Sequence, residues 1–370
     1  MSNNNLKLSI KQIKLLKTLI SDQEKVLEIY KPSKYWWKKS LSAAKEIEKN
    51  GLNDFRSSTD INTTAVSYGD AKVIDCRRIL DTSSIIIRLG LAILNHTPLK
   101  KLFDAQVNAT RKSVSRVIEL EKNALAFSSP VRLTELIDNY KIENTINFGC
   151  DRITVFKRKE YSTNYLIMLD YLDFVEKHWT LKNLNSFLEI GPGFGTLIHL
   201  IEQNYPNIRK FIAVDIVPNV WVLTEYLRSY YGDCVKDYSE TKEMKEIKFK
   251  DDTSLEIFVI PPWEIEKISS SIDCFWNSSS FVEMSTDIVA NYAEKIARIS
   301  TAESTYNFIS YNVFDLKTTF NPNLIPELFP KVNFQMLKHT FLANDNDENY
   351  YYFGKIVTTN IKTKENTKTE

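Results

Sequence analysis

Apolar residues in the first stretch of the chain fall at Ile10, Ile13, Leu16, Leu19, Ile20 and Leu27, spacings of three, four and seven that mark one face of a helix. Asp81-Thr-Ser-Ser introduces a second apolar helix over residues 85–94, which Pro98 closes, and Val114, Val117, Ile118 and Leu120 trace a third. The polar, turn-rich stretch 56–68 reads as a loop. Near residue 160 the rhythm changes. A helix over 165–179 is followed by short apolar runs alternating with helical patterns. The runs are 187–190, 211–215, 255–260, 272–277, 306–312, 334–339 and 351–357, and helices over 196–203, 220–231 and 288–299 fit between the early ones. Such alternation predicts a parallel sheet covered on both faces. Only Asn344-Asp-Asn-Asp-Glu-Asn349 separates the last two runs, which is too short for a crossover and predicts an antiparallel hairpin.

These patterns divide the chain into a helical N-terminal or cap region (1–150), a catalytic domain (151–358) and a disordered tail (359–370). Composition narrows the class. With 370 residues, 43% of them hydrophobic, there is material for a sizeable core. A net charge of +1 argues against a nucleic-acid partner bound by phosphate neutralisation. The polar, lysine-dotted start has no signal-peptide character. The longest apolar stretch, 85–94, is interrupted by Arg88 and falls short of the ~20 residues a membrane span needs. Cys76, Cys150, Cys234 and Cys274 lack metal-ligand spacing, so no metal is expected, and free thiols suit a cytoplasmic, reducing compartment.

The strongest local signal is Ser186-Phe-Leu-Glu-Ile-Gly-Pro-Gly-Phe-Gly-Thr-Leu-Ile-His199, an apolar strand that runs into three glycines and then a helix. Missing side chains let the backbone turn sharply and let a ligand lie against it. Ligands of open α/β sheets bind beyond the carboxyl ends of the strands. The dinucleotide fingerprint would put its third glycine at 196, where this chain has Thr196. Glu189, two residues before Gly191, would repel a pyrophosphate but would attract a ligand carrying a sulfonium and an ammonium. Asp215, ending the next strand, suits two ribose hydroxyls as a bidentate acceptor. The alternatives are structural: Glu189 capping buried amides, and Asp215 capping the helix near Val220.

The seven strands with their terminal hairpin resemble the class I methyltransferase fold over residues 160–358: α/β, a Rossmann-like sheet, here with a helical N-terminal domain. The resemblance implies S-adenosyl-L-methionine as cofactor. It places Glu189, Gly191, Pro192, Gly193, Gly195, Asp215, Ile216, Pro262, Trp263 and Asn277 around it. Trp263, in Ile260-Pro-Pro-Trp263, is placed to stack on the adenine. An amino-methylating motif is disfavoured, because Ile260 stands where a hydrogen-bonding residue is required and the loop follows the third strand rather than the fourth.

A wider similarity covers residues 30–357. Pro32-Ser-Lys-Tyr-Trp36, Gly51-Leu-Asn-Asp-Phe55, 187–195 and Asn277-Ser-Ser-Ser-Phe-Val-Glu-Met284 resemble the sugar O-methyltransferase family of bacterial surface-polysaccharide clusters. That family implies a carbohydrate or nucleotide-sugar acceptor. A hydroxyl acceptor needs a base. Glu283 is the first candidate by position, on the first turn of the helix after strand four, and His339, ending strand six, is the second. His199, on the helix after the glycine turn, reads as a packing or solvent-facing residue, and His96 and His178 have no supporting context. Asp251-Asp252 precedes strand three, so it reads as a solvated turn at the amino end of the sheet. The N-terminal helices are candidates for a lid or a homo-oligomer contact. Tyr35, Trp36 and Trp37, beside Lys31, Lys34, Lys38 and Lys39, suit either core packing or a sugar face. The alternatives are a methyltransferase for a protein or a non-sugar small molecule, and a non-catalytic binding subunit that retains the fold.

Overall fold

The computed structural model describes residues 8–52, 130–143, 153–311, 320–340 and 348–356. The helices expected over 85–94 and 114–120, the 56–68 loop and the 359–370 tail lie outside the described residues, as do Cys76, His96 and Cys150.

Three helices precede the sheet: α1 (Ile10–Lys25), α2 (Lys34–Asn50) and α3 (Pro130–Asn139). A reciprocal pair of hydrogen bonds between Ser9 and Gln12 opens α1 by satisfying two end amides. The helix stops at Lys25, so Leu27, at 72% exposure, is not on its buried face; Leu15, Leu16 and Leu19 are. A 3-10 turn, Glu28–Tyr30, follows. A small antiparallel sheet of β1 (Ile153–Phe156) and β2 (Lys159–Ser162) leads into α4 (Thr163–Glu176).

The main sheet begins with β3 (Ser186–Ile190), α5 (Thr196–Asn204), β4 (Lys210–Val214) and α6 (Asn219–Tyr231). It continues through β5 (Val235–Lys236), α7 (Tyr238–Thr241), β6 (Glu256–Ile260), β7 (Ile272–Ser278), α8 (Thr286–Ile299), β8 (Ser300–Tyr311), α9 (Ile325–Leu328), β9 (Val332–Thr340) and β10 (Glu348–Ile356). The strand order is β5-β6-β4-β3-β7-β8-β10-β9. The first six run parallel, and β10 pairs antiparallel with both β8 and β9. The seven expected strands are all present, in a Rossmann-like α/β sheet that ends in the antiparallel hairpin. An eighth, β5, is only two residues long, below the length at which alternation is visible. Strand β8 starts at Ser300, six residues before the apolar run that announced it, because its polar beginning pairs with Ile272 across a register shift.

Alternate residues of each parallel strand feed opposite faces. Phe187, Phe211, Ala213, Ile257, Val259 and Trp276 join one apolar cluster with α4, α5 and α6. Leu188, Ile212, Val214, Phe258, Ile260 and Phe275 join the other with α8. Leu15, Leu16 and Leu19 of α1 and Ala43, Ala44 and Ile47 of α2 belong to the first cluster, whereas Tyr30, with Val26 and Ile29 beside it, belongs to the second. The chain therefore passes from one face of the sheet to the other between Leu19 and Val26.

Among the described residues no helix is long and apolar enough to cross a membrane. Cys234 and Cys274 are free thiols.

Candidate functional site: an acidic cleft at the glycine turn

Three glycines take left-handed backbone angles after β3: Gly191, Gly193 and Gly195, with φ of 76°, 61° and 96°. Their vacant side-chain positions differ in purpose. A Cβ on Gly191 would land inside the Ser280 side chain, and one on Gly195 would collide with Leu223 of α6. Two of the three glycines thus make room for the protein itself. At the tip of the turn, the Gly193 amide donates to Asp215 Oδ2 at 2.9 Å.

Asp215 directly follows β4 and is 7% exposed. Its Oδ1 accepts from the Ile216 amide (2.7 Å) and from Asn219 Nδ2 (3.2 Å). With the Gly193 bond, three of roughly four acceptor positions on the carboxylate are filled, which leaves one, on Oδ2. The expected two-hydroxyl contact would have to displace one of these donors. Burial pushes the Asp215 pKa up to about 7, although all three hydrogen bonds oppose the rise. Glu189 lies in β3, between Ala213 and Trp276, and is 2% exposed. Its Oε2 is buried with no hydrogen-bond partner among the described residues. Burial first, and the charge of Asp215 second, raise its pKa well above the usual carboxylate range.

The turn after β7 closes the cleft. Asn277 is fully buried, and its Nδ2 donates to the Ile190 carbonyl (2.7 Å) and to Ser280 Oγ (2.6 Å). Ser280 Oγ also donates to the Ile190 carbonyl, at 3.2 Å. Asn277, expected beside the cofactor, thus clamps the end of β3 to the turn after β7. Glu283 ends a 3-10 turn, Ser280–Glu283, and not the first turn of α8. Ser279, in a left-handed conformation, and the extended Met284 interrupt the backbone, and α8 starts only at Thr286. Burial, then Asp215, raise the Glu283 pKa to about 7. Tyr292 of α8 is raised too, by burial and then by Asp215.

The structure thus brings Glu189, Asp215 and Glu283 together, with no cationic side chain acting on them among the described residues. Other expected residues have partners of their own. Pro192 accepts from the Gly195 amide (3.0 Å), Pro262 opens a buried 3-10 turn after β6, and Trp263 Nε1 donates to the Tyr238 hydroxyl (3.2 Å). His339 stands apart, on the outermost strand β9 opposite Asn349. Four strand spacings separate β9 from β3, roughly 19 Å. His199 is buried among Tyr226, Tyr230 and Tyr231, accepts or donates at Tyr231 Oη, and is lowered to about 4 by burial. It is a neutral packing residue. Asp252 pairs with Lys210 at the amino end of the sheet, and its hydrogen bonds to Ser254 and Lys210 lower it to about 2.

Sequence patterns did not single out Ser280. Ser280 lies in a polar run already noted, but its contact with Gly191 spans 89 residues and has no local signature.

No family model matches the chain, and no curated protein sequence matches it. Among solved structures it is similar to magnesium protoporphyrin IX methyltransferase from Synechocystis PCC 6803 with bound S-adenosylmethionine, at 8% identity and a TM-score of 0.36, over 52% of this chain and 80% of that one. It is also similar to the pyocyanin biosynthetic protein PhzM (10% identity, TM-score 0.36, 53% of this chain and 58% of that one). A third is the mitomycin 7-O-methyltransferase MmcR (11% identity, TM-score 0.33, 53% and 57%).

Proposed function

We propose that this chain is an S-adenosylmethionine-dependent O-methyltransferase whose acceptor is a sugar hydroxyl in bacterial surface-polysaccharide synthesis. One observation carries the first half: three carboxylates converge at a glycine turn, on the carboxyl edge of the parallel sheet, with no cation among the described residues to neutralise them. Carboxylates held so far above their usual pKa are unstable as anions, and a cationic ligand removes that instability. A ligand with both a sulfonium and an ammonium suits them, and a pyrophosphate does not.

The residues present fit that ligand. Glu189 Oε2 is an orphaned buried acceptor for an ammonium, and the free position on Asp215 Oδ2 takes one ribose hydroxyl. When bound, the cofactor supplies a methyl activated on positive sulfur. The protein positions and moves protons. Glu283, with a pKa near neutrality, accepts the proton of an acceptor hydroxyl as that oxygen attacks. Its side chain is half-buried, which leaves it open to an acceptor. Alignment by the rigid turns around it supplies much of the remaining rate. The sugar acceptor is supported by the similarity of 277–284, and of the segments around Trp36 and Phe55, to the surface-polysaccharide family.

Titration calorimetry with S-adenosylhomocysteine tests the first half. Saturable binding is expected, weakened about tenfold or more in Glu189→Gln and in Asp215→Asn, each of which removes a charge-assisted contact. Absence of saturable binding to the wild type overturns the assignment. Labelled-methyl transfer to a panel of nucleotide sugars and oligosaccharides tests the second half. Transfer to protein alone removes the sugar acceptor.

A further inference from the structure

The passage of the chain from one face of the sheet to the other happens at its carboxyl edge, over the ends of β4 and β6. Asp22 and Gln23, near the end of α1, make the crossing. Asp22 Oδ2 accepts from the Tyr238 hydroxyl at 3.0 Å and from Lys242 Nζ at 2.7 Å. The same Tyr238 hydroxyl accepts from Trp263, in the loop after β6. Gln23 Oε1 accepts from the Val217 amide at 3.1 Å, in the loop after β4 and two residues past Asp215. Adjacent residues of one helix therefore hold the loop after β4 directly and the loop after β6 through Tyr238, the two loops between which a nucleoside base would lie.

Gln23 is 1% exposed. Its carbonyl half is satisfied by Val217, but its Nε2, with two N–H donors, is buried and has no hydrogen-bond partner among the described residues. A primary amide left half-satisfied in an interior costs stability unless something else completes it. Because Oε1 is held by a backbone amide, the side chain is fixed in orientation, and its donor end is committed.

We infer that Gln23 is a base-recognising residue of the nucleoside site: its Nε2 donates to an acceptor nitrogen of the adenine, so that the N-terminal helix completes the cofactor pocket and selects the base. This rests on the proposed S-adenosylmethionine site. A donor fixed in this way accepts adenine, whose N1 is an acceptor, and opposes hypoxanthine, whose N1 carries a hydrogen. Specificity comes from the unpaired donors that the wrong base leaves behind.

The test compares S-adenosylhomocysteine with S-inosylhomocysteine by calorimetry on the full chain, in wild type, Gln23→Met and Gln23→Glu. The wild type is expected to favour the adenosyl compound by about tenfold or more, the discrimination of one buried hydrogen bond and one clash of donors. Gln23→Met should bring the two affinities within about twofold of each other. Gln23→Glu keeps the acceptor for Val217 and loses the donor, and it too should lose the preference. The melting temperature of each ligand-free variant reports whether the fold survives. If both compounds weaken equally and their ratio is kept, Gln23 only holds the loops, and the inference is overturned. A wild type that binds neither compound overturns the cofactor assignment instead.

Discussion

Asp215 is the residue on which the site turns, because Glu189, Glu283 and Tyr292 all feel its charge. Burial pushes the pKa of Asp215 and of Glu283 up to about 7, against ordinary values of 3.8 and 4.5. An acid whose folded pKa is raised favours folding below its unfolded pKa, and that contribution disappears as pH rises through the folded value. The ligand-free protein should therefore lose thermal stability between about pH 4 and pH 7 on account of these groups. Asp215→Asn should flatten that loss. Differential scanning fluorimetry across the range checks it, and a wild-type stability that climbs steadily from pH 4 to 7 would contradict it. For catalysis, Glu283→Gln should lower kcat by roughly 10²–10⁴, the usual contribution of a positioned base. It should also abolish the rise of activity with pH around neutrality. Glu189 and Asp215 were legible in the sequence because charge beside a glycine turn is a local pattern. The residual valence of Asp215 was not, since it depends on Asn219 and Gly193 folding back onto it.

At the scale of elements, two turns form one unit: the glycine turn after β3 and the Asn277–Glu283 turn after β7. Asn277 and Ser280 both donate to the Ile190 carbonyl, and Ser280 fills the space beside Gly191. Gly191→Ala therefore meets both a left-handed backbone angle and a collision, and should cost about 2–4 kcal/mol of stability, as overpacking and strain together do. Chemical denaturation measures it. Gly191→Ala combined with Ser280→Gly should recover part of the loss, because only the collision is relieved. Pattern alone located the strands and helices around these turns, since each parallel strand is buried on both faces and each helix shows one apolar stripe. It missed β5, where two residues offer no period, and the first residues of β8, where pairing and not hydrophobicity makes the strand. It also ran the first helix through to Leu27, since apolar spacing continues past the extended Val26 that ends it.

Across the whole molecule, the N-terminal helices share a core with the sheet they cover. A boundary drawn from periodicity near residue 150 describes the change of pattern, while the packing of Leu15, Leu16 and Leu19 joins both sides of it. Tyr30 donates to Glu266, which also pairs with Lys295, so the crossing segment is anchored on the far face as well. Nothing in the local sequence of Gln23 announces this, because its partner is 194 residues away.

That separation has a consequence for how the chain is made. The first helix and the turn at Tyr30 leave the ribosome before most of their docking surface is synthesised, and they must wait until the loops around Val217 and Tyr238 and the turn bearing Glu266 have emerged. Contacts so distant in sequence close late, after local structure has formed. The N-terminal segment is thus the last part of this fold to dock, although it precedes its partners in the chain.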